Sequence, residues 1–353
     1  MIKVQIVGAT GYGGLGMIEL LHGHPEFRVT SLLAKTDTGH PVSTFFPHLR
    51  GFCDMQVEDA DASRIGADAD VVVFATPDTV AMEHADRLLA GGRAVIDYSG
   101  DFRFHSEGEY KRYAERLPRV RPAAHACPQL LEAAAYGIPE LFRDSLTGAR
   151  LVGNPGCFAV AMVLGLAPLL AEAAIDPTSI IVDGKTGISG AGKKPSSVHH
   201  FPERNENLTP YRVLGHQHAV EAATALETAT GSRVAITFVP HLLPVTRGLL
   251  CTMYATLRRP LAVSQVRDLY AERFRSERFI RVLPLGTAPS LKGVIGSNMC
   301  DIGMAVDDVA GRVVVMVAID NLLKGQAGIA LQNLNLMFGL PEALGLDRLP
   351  VFP

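Results

Sequence analysis

A short β-branched run, Ile2-Lys3-Val4-Gln5-Ile6-Val7, meets Gly8-Ala9-Thr10-Gly11-Tyr12-Gly13-Gly14 and passes straight into the helical stretch Leu15 to Leu21. A strand, a glycine turn and a helix in that order commit this part of the chain to a βαβ unit, because parallel strands need a crossover between them. Glycines let the backbone turn tightly and approach a pyrophosphate, whose charge then meets free N–H groups and the positive end of the helix. The Gly-x-x-Gly-x-x-Gly spacing alone is common; its place between strand and helix makes it informative. Gly8, Thr10, Gly11, Tyr12 and Gly13 are therefore read as contacts for a dinucleotide, in preference to a turn that binds nothing.

The same alternation continues, with strands expected near 28–33, 70–75 and 94–98 and helices near 13–23 and 79–90, the pattern of a doubly wound parallel sheet. From 100 to 150 the pattern is irregular and punctuated by Pro118, Pro122, Pro128 and Pro139, so turns, short helices and strand pieces are expected. From Ser179 the runs lengthen: Ser179 to Asp183, Arg233 to Val239, Gly248 to Leu257, Met299 to Val306 and Arg312 to Ile319 suit an antiparallel sheet with one covered face. An amphipathic helix is expected over Ser264 to Arg275 and a last helix over Leu322 to Phe338. The fold class is thus α/β, with two domains, as expected for 353 residues.

A net charge of −3, with no run of like charges, argues against nucleic acid as a partner. No apolar run reaches membrane-span length, and residues 1–7 lack the features of a signal peptide. Five widely spaced cysteines without a Cys-x-x-Cys pair indicate neither a disulfide framework nor a zinc knuckle, so a reduced, cytoplasmic protein is expected.

An NAD site usually places an acidic residue at the end of the second strand, about 20 residues past the glycines. Here Ala34-Lys35-Thr36 stands in that place, and a cation with a hydroxyl suits a 2′-phosphate, so Lys35 and Thr36 point to NADP, with Asp37 beside them. Val152-Gly153-Asn154-Pro155-Gly156-Cys157 precedes an apolar helical stretch, Phe158 to Ala173, which puts Cys157 at a helix N-terminus, where the thiolate is favoured. Asn154 is near enough in sequence to help hold an oxyanion. The other four thiols read as ordinary apolar residues. For a proton partner the chain offers His199-His200 and His216-x-His218; spacing alone does not choose between them, and no metal is expected.

Together with Asp101-Phe102-Arg103, Lys185-Thr186-Gly187-Ile188-Ser189-Gly190-Ala191-Gly192, Pro240 to Gly248 and Asp320-Asn321-Leu322-Leu323-Lys324-Gly325, these segments resemble the N-acetyl-γ-glutamyl-phosphate reductases of the semialdehyde dehydrogenase superfamily. The resemblance runs nearly end to end. It implies an NADPH-dependent, phosphorylating aldehyde dehydrogenase of arginine biosynthesis that works through a thioester on Cys157, with His216 as acid/base. It also implies a Rossmann domain of residues 1–153 with 321–353, and an α+β catalytic domain of residues 154–320 that makes the contacts of a homodimer or homotetramer. Ser189, Gly190 and Asn321 would approach the nicotinamide, and Arg247, Arg103, His218 and Asn154 the substrate. The chain departs from the pattern at Ala159-Val160-Ala161, where a Thr is usual, and at Ala219-Val220-Glu221, where Pro usually precedes Glu. Rival readings are a reductase of aspartyl phosphate or carrier-linked aminoadipyl phosphate, and a non-catalytic NADP-binding regulator; Cys157, His216 and Lys324 together argue against the last.

Overall fold

The computed structural model describes residues 1–117 and 124–352; Pro118 and Pro122 lie outside the described residues. The chain divides into two compact units, one from Met1–Glu115, Arg119–Pro155 and Gln326–Asp347, the other chiefly from Gly156–Gly325. The first crossing falls after Pro155, two residues past the expected 153. The return falls at Gln326, where 321 was expected, and the segment from Arg348 onward groups with the second unit.

The first unit holds seven strands: β1 (Ile2–Val7), β2 (Phe27–Ala34), β3 (Val57–Asp59), β4 (Val71–Phe74), β5 (Ala94–Asp97), β6 (Ala135–Tyr136) and β7 (Leu151–Gly153). They lie in the order β3-β2-β1-β4-β5-β7-β6, every pair parallel. Strand order reverses between β1 and β4, and in such sheets ligands bind beyond the carboxyl ends of the strands at that point. All four residues of β4 are fully buried, as in a strand covered on both faces. The helix α1 (Tyr12–Leu21) follows β1. The expected helix near 79–90 is broken: Thr79 stands at φ +78°, Ala81–Glu83 is a 3-10 turn, and regular helix begins only at Ala85. The cause is the Asp101 carboxylate, which accepts the N–H groups of Thr79 (2.8 Å) and Met82 (3.2 Å) and so captures the first turn.

In the second unit α2 (Cys157–Ala171) is buried almost throughout, and α3 (Gln217–Thr230) packs beside it. Its strands are β8 (Ile180–Thr186), β9 (Thr209–Pro210), β10 (Ile236–Leu242), β11 (Leu249–Thr256), β12 (Ile280–Val282), β13 (Cys300–Asp307) and β14 (Arg312–Ile319), in the order β12-β13-β14-β11-β8-β10-β9. The sheet is mixed and largely antiparallel, as the strand-like runs from Ser179 onward suggest. β8 and β10 pair in parallel because α3 carries the chain back between them, and β12 pairs in parallel with β13. α2 lies on β11 and β14, and Gly165 permits the approach: a Cβ there would sit 2.2 Å from Met253 Cε. The last helix, α4 (Gly328–Met337), is shorter than expected, because Leu323–Ala327 forms a π-helical turn before it.

Candidate active site

In the first unit the glycine turn lies at the carboxyl end of β1. Gly8 stands at φ +89°, and a Cβ there would lie 2.3 Å from the Ala75 carbonyl oxygen, so only glycine fits. A Cβ at Gly14 would lie 2.4 Å from Gly8 O, which makes the turn compact where the helix begins. Gly11 is the N-cap of α1 and supplies no side-chain cap, so the first-turn N–H groups remain for an anion. Thr10 is buried at the turn. Lys35 and Thr36 are exposed just past β2; the Lys35 ammonium lies 3.8 Å from Asp59 Oδ1 with both side chains in solvent. Such a pair is weak. The cradle and the cation therefore suit a dinucleotide carrying an extra phosphate.

Arg103 and Asn154 also belong to this unit, and both are engaged within it. Arg103 donates from Nε to Asn154 O (2.7 Å) and from Nη2 to Tyr98 O (2.5 Å). Asn154 is fully buried; its Nδ2 donates to Gln326 O (3.1 Å), and its Oδ1 accepts from Asn333 Nδ2 (3.1 Å). Both side chains thus hold the β5 and β7 ends and α4 together, a use that their expected role toward substrate did not include.

In the second unit Cys157 is the first residue of α2, half-buried, with Gly156 as N-cap and no side chain capping the turn. Cys127, Cys251 and Cys300 are buried. Burial pushes the Cys127 thiol up to about 12 and raises Cys251 further, so these sulfurs stay protonated and inert. Cys53 is the other half-buried thiol.

His216 and His218 both reach the Cys157 turn. A Cβ on Gly156 would lie 2.2 Å from His218 Nε2, so that ring rests directly on the residue before the thiol. His216 is buried among Phe158, Tyr211, Phe238 and His218, with ring centroids 4.7–5.8 Å away. Burial, then the charges of His218 and Arg212, lower its pKa to about 2. Its Nδ1 accepts the His218 backbone N–H (3.2 Å), which leaves the proton of the neutral ring on Nε2. This bond makes His216 the N-cap of α3 and fixes the helix start despite the missing Pro. The Glu221 carboxylate, one turn on, accepts the Gly156 N–H (2.8 Å) and holds the Pro-Gly-Cys turn from behind.

Ser189, Gly190 and Asn321 come together as well. Asn321 Nδ2 donates to Ser189 Oγ (3.0 Å), its Oδ1 accepts from Gly248 N (2.7 Å), and a Cβ on Gly190 would lie 3.7 Å from Asn321 Nδ2. Arg247 Nε lies 3.5 Å from the buried Asp320 carboxylate. Three contributors escaped sequence reasoning: Tyr211, Glu221 and Asp320. Tyr211 is held protonated by burial first, and by the charge that a Cys157 thiolate would carry second. Glu221 and Asp320 stand, without a role, in segments the sequence reading quotes; Tyr211 left no trace.

Residues 3–149 match the family described as semialdehyde dehydrogenase, NAD binding domain, and residues 157–321 that described as semialdehyde dehydrogenase, dimerisation domain. An N-acetyl-gamma-glutamyl-phosphate reductase of Geobacter sp. (strain M21) is 46% identical over 354 residues, and one of Bacillus mycoides (strain KBAB4) is 42% identical over 352, each covering 100% of both chains. Among solved structures, aspartate semialdehyde dehydrogenase II of Vibrio cholerae has a TM-score of 0.72 at 18% identity, covering 96% of this chain and 98% of its own. The Candida albicans aspartate semialdehyde dehydrogenase with NADP has a TM-score of 0.69 at 16% identity, with coverage of 96% and 98%. At that identity the likeness concerns the fold.

Proposed function

The chain belongs to the semialdehyde dehydrogenase family, and on that premise we propose that it reduces N-acetyl-γ-glutamyl phosphate to N-acetylglutamate 5-semialdehyde and phosphate in arginine biosynthesis, in the cytoplasm, as a homodimer or homotetramer. The observation that carries the chemistry is a half-buried Cys157 at the start of α2, in one unit with a neutral, cage-held His216. The Cys157 sulfur attacks the acyl carbon and phosphate leaves, so one difficult step becomes two easier ones through a thioester. NADPH, when bound, supplies the hydride that reduces the thioester. Hydride addition leaves an alkoxide oxygen, to which His216 donates a hydrogen bond from Nε2–H; the alkoxide re-forms the carbonyl as the C–S bond breaks, releasing aldehyde and thiolate. Arg247, partly exposed and tethered by Asp320, suits a substrate carboxylate or phosphate. Arg103 ranks below it because its Nε and Nη2 already serve backbone carbonyls. The turn Gly8 to Gly14 supports the pyrophosphate, Lys35 and Thr36 the 2′-phosphate, and Ser189, Gly190 and Asn321 the nicotinamide end.

Cys157→Ser should abolish NADP reduction by N-acetylglutamate semialdehyde with phosphate or arsenate while leaving NADP binding intact; near-wild-type turnover would overturn the thioester route. Replacing His216 by Asn should lower the rate by roughly 10²–10⁴. A larger loss in His218→Asn would move the proton role to the ring that rests on Gly156. Comparison of kcat/KM for N-acetylglutamate and aspartate semialdehydes decides the substrate.

A further inference from the structure

Asp320 is fully buried at the end of β14 and is engaged on both carboxylate oxygens. Oδ1 accepts the N–H groups of Leu322 (2.8 Å) and Leu323 (3.2 Å); Oδ2 accepts Gly296 N–H (2.9 Å) and lies 3.5 Å from Arg247 Nε. Its own carbonyl accepts the Gly325 N–H (2.9 Å), a five-residue bond of the π-helical turn Leu323–Ala327. That turn lays residue 325 against the thiol helix: a Cβ on Gly325 would sit 2.7 Å from Cys157 Cβ and 3.3 Å from Cys157 Cα. π-turns are rare, and this one forms where a carboxylate takes two consecutive N–H groups at its start.

We infer that Asp320 is a positioning residue for this reaction, setting Cys157 through the π-turn and Gly325, and setting Arg247 through its second oxygen. The inference rests on the thioester reading above for its meaning, while its geometry stands apart from it. One buried carboxylate holds the nucleophile's backdrop and the guanidinium proposed for the substrate anion in fixed relation. The next residue adds to the effect, because Asn321 Oδ1 holds Gly248 N, immediately after Arg247.

Two variants test the role. In Gly325→Ala the methyl has to displace Cys157, so kcat is expected to fall about 10- to 100-fold with KM for the acyl phosphate retained. In Asp320→Asn the amide keeps an acceptor for Leu322 and Leu323, but an N–H group now faces the Gly296 N–H and Arg247. That variant should lose kcat similarly and, through Arg247, raise KM for the acyl phosphate about tenfold. In both, the rate of iodoacetamide labelling at Cys157, read by peptide mass spectrometry with Cys53 as internal control, should change about tenfold while NADPH binding stays at its wild-type value. Should Asp320→Asn fail to fold, the Gly325→Ala labelling and kcat decide. Wild-type labelling of Cys157 in the folded variants would overturn the positioning role. A wild-type protein inactive on the acyl phosphate would instead overturn the proposed function, and the labelling comparison would still decide the role of Asp320.

Discussion

His216 is a capping residue as well as a candidate hydrogen-bond donor to the reacting oxygen, and both roles need a neutral ring. A protonated Nδ1 would lose the His218 N–H and stand as a charge among three aromatic rings. Its pKa of about 2 lies below the ordinary value near 6.5, so on acidification the unfolded chain takes up the proton first. The stability contributed by neutral His216 is therefore complete above about pH 6.5 and is lost progressively as the pH falls toward 2. His24, His84 and His125 are also lowered by burial and act in the same direction, so the variant difference is what isolates residue 216. Thermal melts at pH 7 and pH 5 should show a larger loss for the wild type than for His216→Asn; equal losses would refute the neutral, buried ring. Spacing reached this residue only as one of a pair, and the resemblance alone favoured it, because the choice depends on Phe158, Tyr211 and Phe238, which converge from three separate segments.

At the scale of elements, what was legible was local. The β1–turn–α1 unit is written in consecutive residues, and the turn at Gly8 is enforced by the neighbouring Ala75 carbonyl. In the proposed reading the end of β2 carries the cofactor preference, since a cation there would meet a 2′-phosphate as a point charge. Lys35→Glu should lower the ratio of kcat/KM for NADPH to that for NADH about tenfold or more, the size expected when a charged hydrogen bond is replaced by repulsion. An unchanged ratio, with NADPH titrating at wild-type affinity, would remove Lys35 from the site. What was not legible was made by partners distant in sequence. β3, β6 and β7 are two or three residues long and exist only by pairing. The parallel pairing of β8 with β10 depends on where α3 returns the chain. The expected single helix 322–338 is interrupted because the carboxylate of Asp320 competes for its first N–H groups.

For the molecule as a whole, the second sheet has one finished face and one unfinished one. Val182, Met253 and Val315 point into the core, whereas Ile181, Tyr254 and Val314 lie side by side in register on the opposite face and stay partly exposed. Below them run Asp183, Thr252 and Met316, and Asp183 Oδ1 lies 2.8 Å from Lys185 Nζ and 3.1 Å from His241 Nδ1. A solvated face of an antiparallel sheet is ordinarily polar, so an apolar row of this kind calls for a cover. Residues 157–321 match a dimerisation domain, and a second copy of the same row is the natural cover, because two-fold pairing sets each patch against itself. A standard interface removes about 800 Å² per partner, and a charge in the middle of such an area stays unpaired when buried. Tyr254→Asp should therefore shift the protein from oligomer toward monomer in light scattering at micromolar concentration. The nucleotide turn belongs to the first unit and the Cys157 helix packs on β11 and β14 at the covered face, so NADPH binding should persist; an unchanged mass would place the contact on another face.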